Sequence, residues 1–451
     1  MYYPNENTRR EFIKKASIGM AALSVGGVLP GFSAKSYNRI LGANERIHVS
    51  VMGVNARGLA LATNFATQPN CTVTSVADVD AHALARCAAR VAEIQNTKPK
   101  SVADFRDALA DKDVDALVIA APDHWHTPAA IMASQAGKHV YVEKPGSHNP
   151  REREWLLAAQ QKYGNVIQMG NQRRSWPAVR QAIREIHAGL IGKVYFTKAW
   201  YTNNRPSIGN GRAVAAPDWL DFDLWQGPAP RRPFQDNLVH YNWHWFWHWG
   251  TGEALNNGTH MVDLARWGMQ VNYPVQVSSS GGRYCHRDDW ETPDTQLITL
   301  DFADKGMITW EGRSCNGRTI DGASVGVVFY GEAGSVQIGG GNTYQVYNLD
   351  NELLRDVKNE VAPNPVTRTS SSQELDAIHI QNFFDGIKNR EPLNSDIREG
   401  QISTFLVQLG NIAQRTGEAL QIDPANGRVR NNRHAMRYWE REYERGWDPK
   451  I

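Results

Sequence analysis

The stretch Ile47-His48-Val49-Ser50-Val51-Met52-Gly53-Val54-Asn55-Ala56-Arg57-Gly58 decides the fold. Its first six residues read as a strand and Gly58 to Ala66 as a helix, so the glycines fall on a strand-to-helix turn. Gly53 permits the tight turn, and the position of Asn55 is where backbone must approach a pyrophosphate. Gly58 lets helix and strand pack closely, with the helix N-terminus facing phosphate. Asn55 departs from the all-glycine pattern, so the flanking elements carry the reading. The second strand, Thr72 to Ala77, runs into Asp78, at about the distance where a carboxylate hydrogen-bonds a ribose 2′-hydroxyl and repels a 2′-phosphate. That favours NAD over NADP.

Outward from this turn the alternation continues. Helices are predicted at His82–Ile94, Asp104–Ala110 and Pro128–Ala136, and strands at Val114–Ala120 and His139–Val142. Strands separated by helices of this length imply right-handed crossovers and a parallel sheet covered on both faces. After Gly170 the pattern changes to a helix at Ala178–His187, a run at Val194–Tyr201 and a Trp- and Pro-rich stretch to about Gly252. A helix at His260–Met269 follows. Alternating runs at Gln296–Phe302, Met307–Trp310, Ser324–Tyr330, Ser335–Ile338 and Tyr344–Tyr347 then predict a largely antiparallel sheet. Glu352–Ser370, polar and Pro-containing, reads as a surface linker. Two helices close the chain, the first with a capping box at Ser371 and Glu374, the second beginning near Asp396. The expected fold class is α/β. It combines a Rossmann dinucleotide-binding domain over residues 45–170 with a substrate-binding α+β domain over 171–451, whose sheet is open and whose C-terminal helices start at 371.

The chain has 451 residues, 41% hydrophobic and 21% charged, which excludes a disordered or fibrous protein. Its net charge is +2, and removing the four bases and two acids of the first 34 residues brings it to zero. A neutral remainder gives no electrostatic case for nucleic acid as a partner. Thr8-Arg9-Arg10-Glu11-Phe12-Ile13-Lys14, followed by a weakly apolar run from Ala16 to Leu29, resembles a bacterial twin-arginine export signal occupying residues 1–34. Removal near Phe32-Ser33-Ala34 and retention as an anchor both stay open. No other stretch is apolar enough for a membrane span. Export points to a periplasmic or otherwise exported protein. The route carries folded proteins, which suits an enzyme that binds its cofactor before leaving the cytoplasm. Cys71, Cys87, Cys285 and Cys315 are too few and scattered for a disulfide framework, with a single bridge left open.

Two further segments carry a family resemblance. Ala121-Pro122-Asp123-His124-Trp125-His126 follows a parallel strand, and Tyr141-Val142-Glu143-Lys144-Pro145 ends the next. With the glycine turn they resemble the glucose-fructose oxidoreductase, inositol dehydrogenase and rhizopine-catabolism (Gfo/Idh/MocA) family, from about Arg46 to the final helices. The resemblance implies an NAD site formed by Gly53, Asn55, Ala56, Arg57, Gly58 and Asp78, by Pro122, His124 and His126, and by Glu143, Lys144 and Pro145. It places Lys144 beside nicotinamide and substrate, where an ammonium stabilises developing alkoxide charge. Gly250 to Asp263 resembles the segment in which an Asp precedes the family's proton-carrying His by four residues. His260 takes the His position and Asn256 the Asp position. Asn256 can orient a hydroxyl but cannot ionise to hold an imidazolium, so the pKa of His260 is expected to be less elevated than beside an Asp. Homo-oligomerisation through the C-terminal sheet is expected as well.

Trp243-His244-Trp245-Phe246-Trp247-His248-Trp249 is the compositional oddity: seven of the 15 Trp lie between Trp200 and Trp249. Read as extended, the run is either a platform for sugar rings, with His244 and Trp245 as ligands, or a core plug. His240, His244 and His248 recur every fourth residue, but no H-E-x-x-H motif or supporting acid accompanies them, and no metal is expected. Gln172 and Arg173, at the domain junction, are the additional substrate candidates. The leading expectation is NAD-dependent hydride transfer to or from a carbohydrate carbon. The alternative is an NAD-dependent glycoside hydrolase or lyase acting by transient oxidation, elimination and hydride return. No pair of carboxylates with glycosidase spacing is evident. A non-enzymatic sugar-binding protein would have no use for both Lys144 and His260.

Overall fold

The structure, a computed structural model, describes residues 46–359 and 371–451, so the expected export signal lies outside the described residues. The first half runs β1 (Ile47–Met52), α1 (Arg57–Thr67), β2 (Cys71–Ala77), α2 (Ala81–Gln95), β3 (Lys100–Val102), α3 (Phe105–Ala110), β4 (Ala116–Ile119), α4 (Asp123–Gln135), β5 (His139–Val142), α5 (Pro150–Tyr163) and β6 (Ile167–Met169). All six strands are parallel, in the order β3-β2-β1-β4-β5-β6. The chain leaves β1 toward β2 and returns on its other side at β4. The connections after these two strands therefore diverge and open a crevice at their C-terminal ends. The turn after β1 needs its glycines. Gly53 has φ +78°, and a Cβ there would lie 2.5 Å from the Ala121 amide nitrogen; a Cβ on Gly58 would lie 1.8 Å from the Gly53 carbonyl oxygen.

One boundary differs in a way that matters. The helix expected from Pro128 begins five residues earlier, at Asp123, with Pro128 inside it. Asp123, His124 and His126 therefore stand on a first helical turn, where His124 and His126 point about 160° apart instead of facing one way.

The second half continues with α6 (Pro177–His187), β7 (Val194–Thr202), α7 (Phe222–Gln226), α8 (Thr259–Met269), β8 (Gln276–Gly282), β9 (Thr295–Asp301), β10 (Met307–Arg313), β11 (Val325–Gly331), β12 (Gly334–Ile338), β13 (Thr343–Tyr347), β14 (Leu353–Lys358), α9 (Ser371–Asn389), α10 (Ile397–Thr416), β15 (Leu420–Gln421) and α11 (Arg433–Met436). The sheet is nine-stranded, in the order β14-β13-β12-β11-β7-β10-β9-β8-β15; only β7 and β10 pair in parallel. The expected linker at Glu352–Ser370 is corrected at its start, because Leu353–Lys358 is the edge strand β14. Mostly exposed along its length, it carries no apolar alternation to betray it. Residues 360–370 lie outside the described residues.

The C-terminal helices join the halves. Ile380, Phe383 and Phe384 of α9 pack into the core beneath the first sheet, edge-on to Phe65 and Tyr141. The Trp-rich stretch folds around its own cluster of Leu220, Phe222, Trp225, Phe234, Phe246 and Trp249, and hangs over the crevice. Among the described residues no helix is long and apolar enough to cross a membrane.

Candidate active site

A cleft of about 440 Å³ runs from the glycine turn to the start of α8. One end is floored by Gly53, Asn55, Ala56 and Arg57 and reaches Asp78, with Phe105, Leu220, Leu224 and Trp225 as apolar walls. At α1 the N-cap residue, Ala56, supplies no side-chain cap, and no acid occupies the first turn. Its free N–H groups suit a phosphate. Asp78 also braces the turn: its Oδ2 accepts the Val54 N–H (2.6 Å) and its Oδ1 the Asp80 N–H (2.9 Å). Burial pushes its carboxyl above the usual range. A dinucleotide fits this end, with backbone for the pyrophosphate and an acid for a ribose.

The other end holds the reactive side chains. Lys144 follows β5, and its Nζ donates to the Asn256 carbonyl (2.6 Å) and to Asn256 Oδ1 (3.1 Å), leaving one N–H for another acceptor. Burial lowers its pKa, while Glu143 and Asp123 hold it up. Asn256 stands on a single π-helical turn, Ala254–Gly258, immediately before α8. Such a turn widens the spiral and leaves carbonyls without their usual partners; Lys144 takes one of them. His260, on the first turn of α8, also faces the cleft. Burial, then the charges of Lys144, Arg173 and Arg57, push its pKa well below the ordinary value, and its Nδ1 is buried without a partner. Among the described residues no carboxylate holds it protonated, in line with Asn at position 256.

Several expected ligands that line the cleft also make structural contacts. Arg57 donates to Glu143 (2.8 Å) and Asp376 (2.6 Å), and Gln172 to Glu143 (2.9 Å). Burial opposes the Glu143 charge, but Arg57 and Lys144 outweigh it and hold that carboxyl below its usual range. The Asn55 side chain accepts from Arg86 (2.7 Å). His126 borders the cleft, but its two ring nitrogens face the Pro145 and Ala121 carbonyls, tying the two motif turns together. The Lys144–Pro145 bond is cis. Gly58 and Pro145 lie behind the lining, and Pro122 within it.

Three expectations are corrected. His124 is rotated off the cleft by the early start of α4 and packs against Trp225, whose carbonyl faces its Nε2 (3.0 Å). Arg173 turns toward the second sheet, donating to the Gly340 carbonyl (2.6 Å) over the Trp176 ring. Trp245 is fully buried and stacked on Trp290, 3.9 Å between ring centres, because the run coils into a short 3₁₀ turn at Asn242–Trp245 instead of extending. Trp243 and His244 line the cleft in its place. The His244 Nδ1 faces the Tyr241 carbonyl (2.6 Å), and burial takes the ring's pKa down to about 3. His240 pairs with Asp80, whereas His248 faces the Pro230 carbonyl, so the three histidines diverge.

The sequence reading missed two acids. Asp123, buried in the cleft wall, accepts from the Thr251 hydroxyl, and burial raises its pKa against the pull of His126 and Lys144. Glu253 lies one turn before Asn256 and receives Arg205 (2.6 Å) and Asn257. Outside the cleft, ligand atoms of Cys285, His286 and Cys315 lie within 4.8 Å of one another, a cluster the spacing did not reveal.

Residues 47–171 match the family model described as an oxidoreductase family with an NAD-binding Rossmann fold, and residues 208–448 match that family's C-terminal alpha/beta domain. The chain belongs to the Gfo/Idh/MocA oxidoreductase family. A relative named glycosyl hydrolase family 109 protein, from Saccharopolyspora erythraea, is 30% identical over 230 residues, which are 48% of this chain and 50% of that protein. The aligned stretch thus spans half of that relative. Levoglucosan dehydrogenase from Pseudarthrobacter phenanthrenivorans is 28% identical over 169 residues, 37% of this chain and 36% of that protein. A solved levoglucosan dehydrogenase, complexed with NADH and levoglucosan, superposes with a TM-score of 0.65 at 19% identity, over 83% of this chain and 99% of that one. The family's N-terminal domain is an NAD-binding Rossmann fold, and the phosphate-ready turn of this chain fits that cofactor.

Proposed function

We propose that this chain is an exported NAD-dependent oxidoreductase that oxidises or reduces a ring carbon of a carbohydrate or glycoside. The observation that carries the reading is the Lys144–Asn256–His260 arrangement at the end of a cleft whose other end is built for a dinucleotide. NAD, when bound, supplies the hydride acceptor or donor. His260, neutral because of its burial and cationic neighbours, takes the substrate hydroxyl proton. Lys144 directs its remaining N–H at the same oxygen and stabilises the charge that develops there. Asn256 fixes the ammonium by two contacts, and Trp243 offers an aromatic face to the sugar. Asp78 selects NAD. The Thr8–Lys14 motif supports export with the cofactor already held. The outer face of the second sheet, where Leu297 and Met307 are exposed, is our assignment for contact between copies of the chain.

A second reading keeps the same oxidation but makes it transient, ending in cleavage of a glycoside. Two observations favour it: the name of the Saccharopolyspora relative, and the presence of Asp123 and His244 in the cleft as further groups to move a proton from the neighbouring carbon. One experiment separates the two. A net oxidoreductase accumulates NADH on the protein when the sugar is added, and turns over only with a second carbonyl compound. A hydrolase or lyase cleaves glycosides with no acceptor and, in heavy water, leaves deuterium on the carbon next to the oxidised one. Acceptor-independent cleavage with deuterium in the product overturns the first reading in favour of the second.

A further inference from the structure

A second cavity, of about 250 Å³, lies behind the Gly250–Leu255 segment, between the start of α5, the end of α10 and the C-terminal stretch Arg437–Arg441. Its lining is unbalanced. Three guanidinium groups, Arg415, Arg437 and Arg441, meet one lining carboxylate, Glu440, which is engaged by Arg151 (3.2 Å), while the buried Glu152 just behind the lining offsets part of the Arg441 charge. Arg415 has no carboxylate within ion-pair distance among the described residues. It lies over the rings of Trp247 and Tyr438, 4.6 and 4.0 Å from their centres. Arg415 and Arg437 are exposed and Arg441 is half-buried; desolvation lowers the pKa of Arg441 against the opposing pull of Glu152.

The unmet hydrogen bonds point the same way. Both ring nitrogens of His148, Nδ2 of Asn149 and an Nη of Arg441 are buried without partners, and Asn149 is only 6% exposed. Burying N–H groups unpaired is costly unless something arrives to accept from them. Burial keeps His148 neutral, so one of its ring nitrogens is an acceptor, and together with Oε1 of Gln408 it asks for a hydroxyl. From this lining we infer that the cavity is a binding site for a small oxyanion, a sulfate, phosphate or carboxylate group, either free or carried on a sugar. The guanidinium forks match such a group geometrically. The site is separate from the NAD cleft. The two share a wall, because Asn411 of the cavity donates to the Thr251 carbonyl (2.9 Å) while the Thr251 hydroxyl donates to Asp123.

The test uses the full chain in thermal-shift and calorimetric titrations with sodium sulfate, sodium glucuronate and glucose, at ionic strength held constant with sodium chloride. A saturable rise in Tm with sulfate or glucuronate, and none with glucose, is expected. Tighter sulfate binding marks a free anion as the occupant, and tighter glucuronate binding marks an acidic sugar. Arg437→Met, at an exposed position that the fold tolerates, and Arg415→Met should each weaken binding about tenfold or more, the loss of roughly one charge-assisted contact. Binding no stronger than in the chloride reference, equal binding by both variants, or glucose binding as well as glucuronate would each overturn the proposal.

Discussion

The two ends of the cleft are built from different material. The dinucleotide end is mostly backbone: a glycine with φ +78°, an uncapped helix start, and one carboxylate that holds the turn by accepting its N–H groups. The reactive end is mostly side chain: an ammonium held by Asn256, an imidazole with no carboxylate, and walls supplied by a coiled Trp-rich stretch. A backbone end tolerates little variation and recognises what every substrate turnover has in common. A side-chain end can be re-lined while the cofactor site stays fixed, which is how one fold serves many sugars.

Breaking the reactive end should have the largest effect. Lys144→Met removes the charge that faces developing alkoxide but leaves the glycine turn intact, so kcat should fall on the order of 100- to 1000-fold. NAD released on denaturing the purified variant should match the wild type. Near-native turnover would remove Lys144 from the mechanism, and loss of bound NAD would place it at the dinucleotide end instead. A smaller effect sharpens the role of His260. Because its pKa is displaced below the ordinary histidine value, the ring stays a neutral base as the pH drops through about 6.5. The acid limb of kcat/KM should therefore lie below that pH, and an acid limb at or above it, abolished in His260→Gln, would mean that burial does not depress the imidazole's pKa.

The same contrast explains what the sequence made legible. The first sheet was readable because buried parallel strands are continuous apolar runs, and the turn because only glycine meets its φ and its close approach to Ala121. Lys144, Asn256 and His260 were found through motif resemblance, and the cleft does gather them. The errors came where side-chain direction depends on local coiling. An extended reading of Trp243–Trp249 put Trp245 at the substrate, whereas a 3₁₀ turn buries it and presents Trp243. Placing a helix start at Pro128 left His124 free to face the cofactor, but the earlier start rotates it away. Asp123, Glu253 and the Cys285–Cys315 approach were invisible because their partners, Thr251, Arg205 and each other, are supplied by segments 128, 48 and 30 residues distant.

The smallest predicted effect tests Asp78, where both building materials meet. It has two tasks, repelling a 2′-phosphate by its charge and accepting the Val54 and Asp80 N–H groups by its oxygens. Asp78→Ala removes both and confounds them. Asp78→Asn abolishes the charge but keeps one of the two oxygen acceptors. It should raise relative affinity for NADP over NAD about tenfold, the factor worth 1.4 kcal/mol, with a smaller loss of Tm than Asp78→Ala. The wild type offers an independent check. Burial raises the carboxyl's pKa, so lowering the pH neutralises it sooner than an exposed Asp, and discrimination against NADP should fade on the acid side while the charge persists at neutral pH. Titrating NAD and NADP binding across pH in the wild type and in Asp78→Asn measures both effects. If Asp78 sets the preference, the wild-type ratio approaches that of the variant as pH falls, and the variant's own ratio stays flat. A wild-type ratio that never moves, or a variant that still rejects NADP, assigns Asp78 to the turn alone and the preference to another group at the Asn55–Arg57 floor.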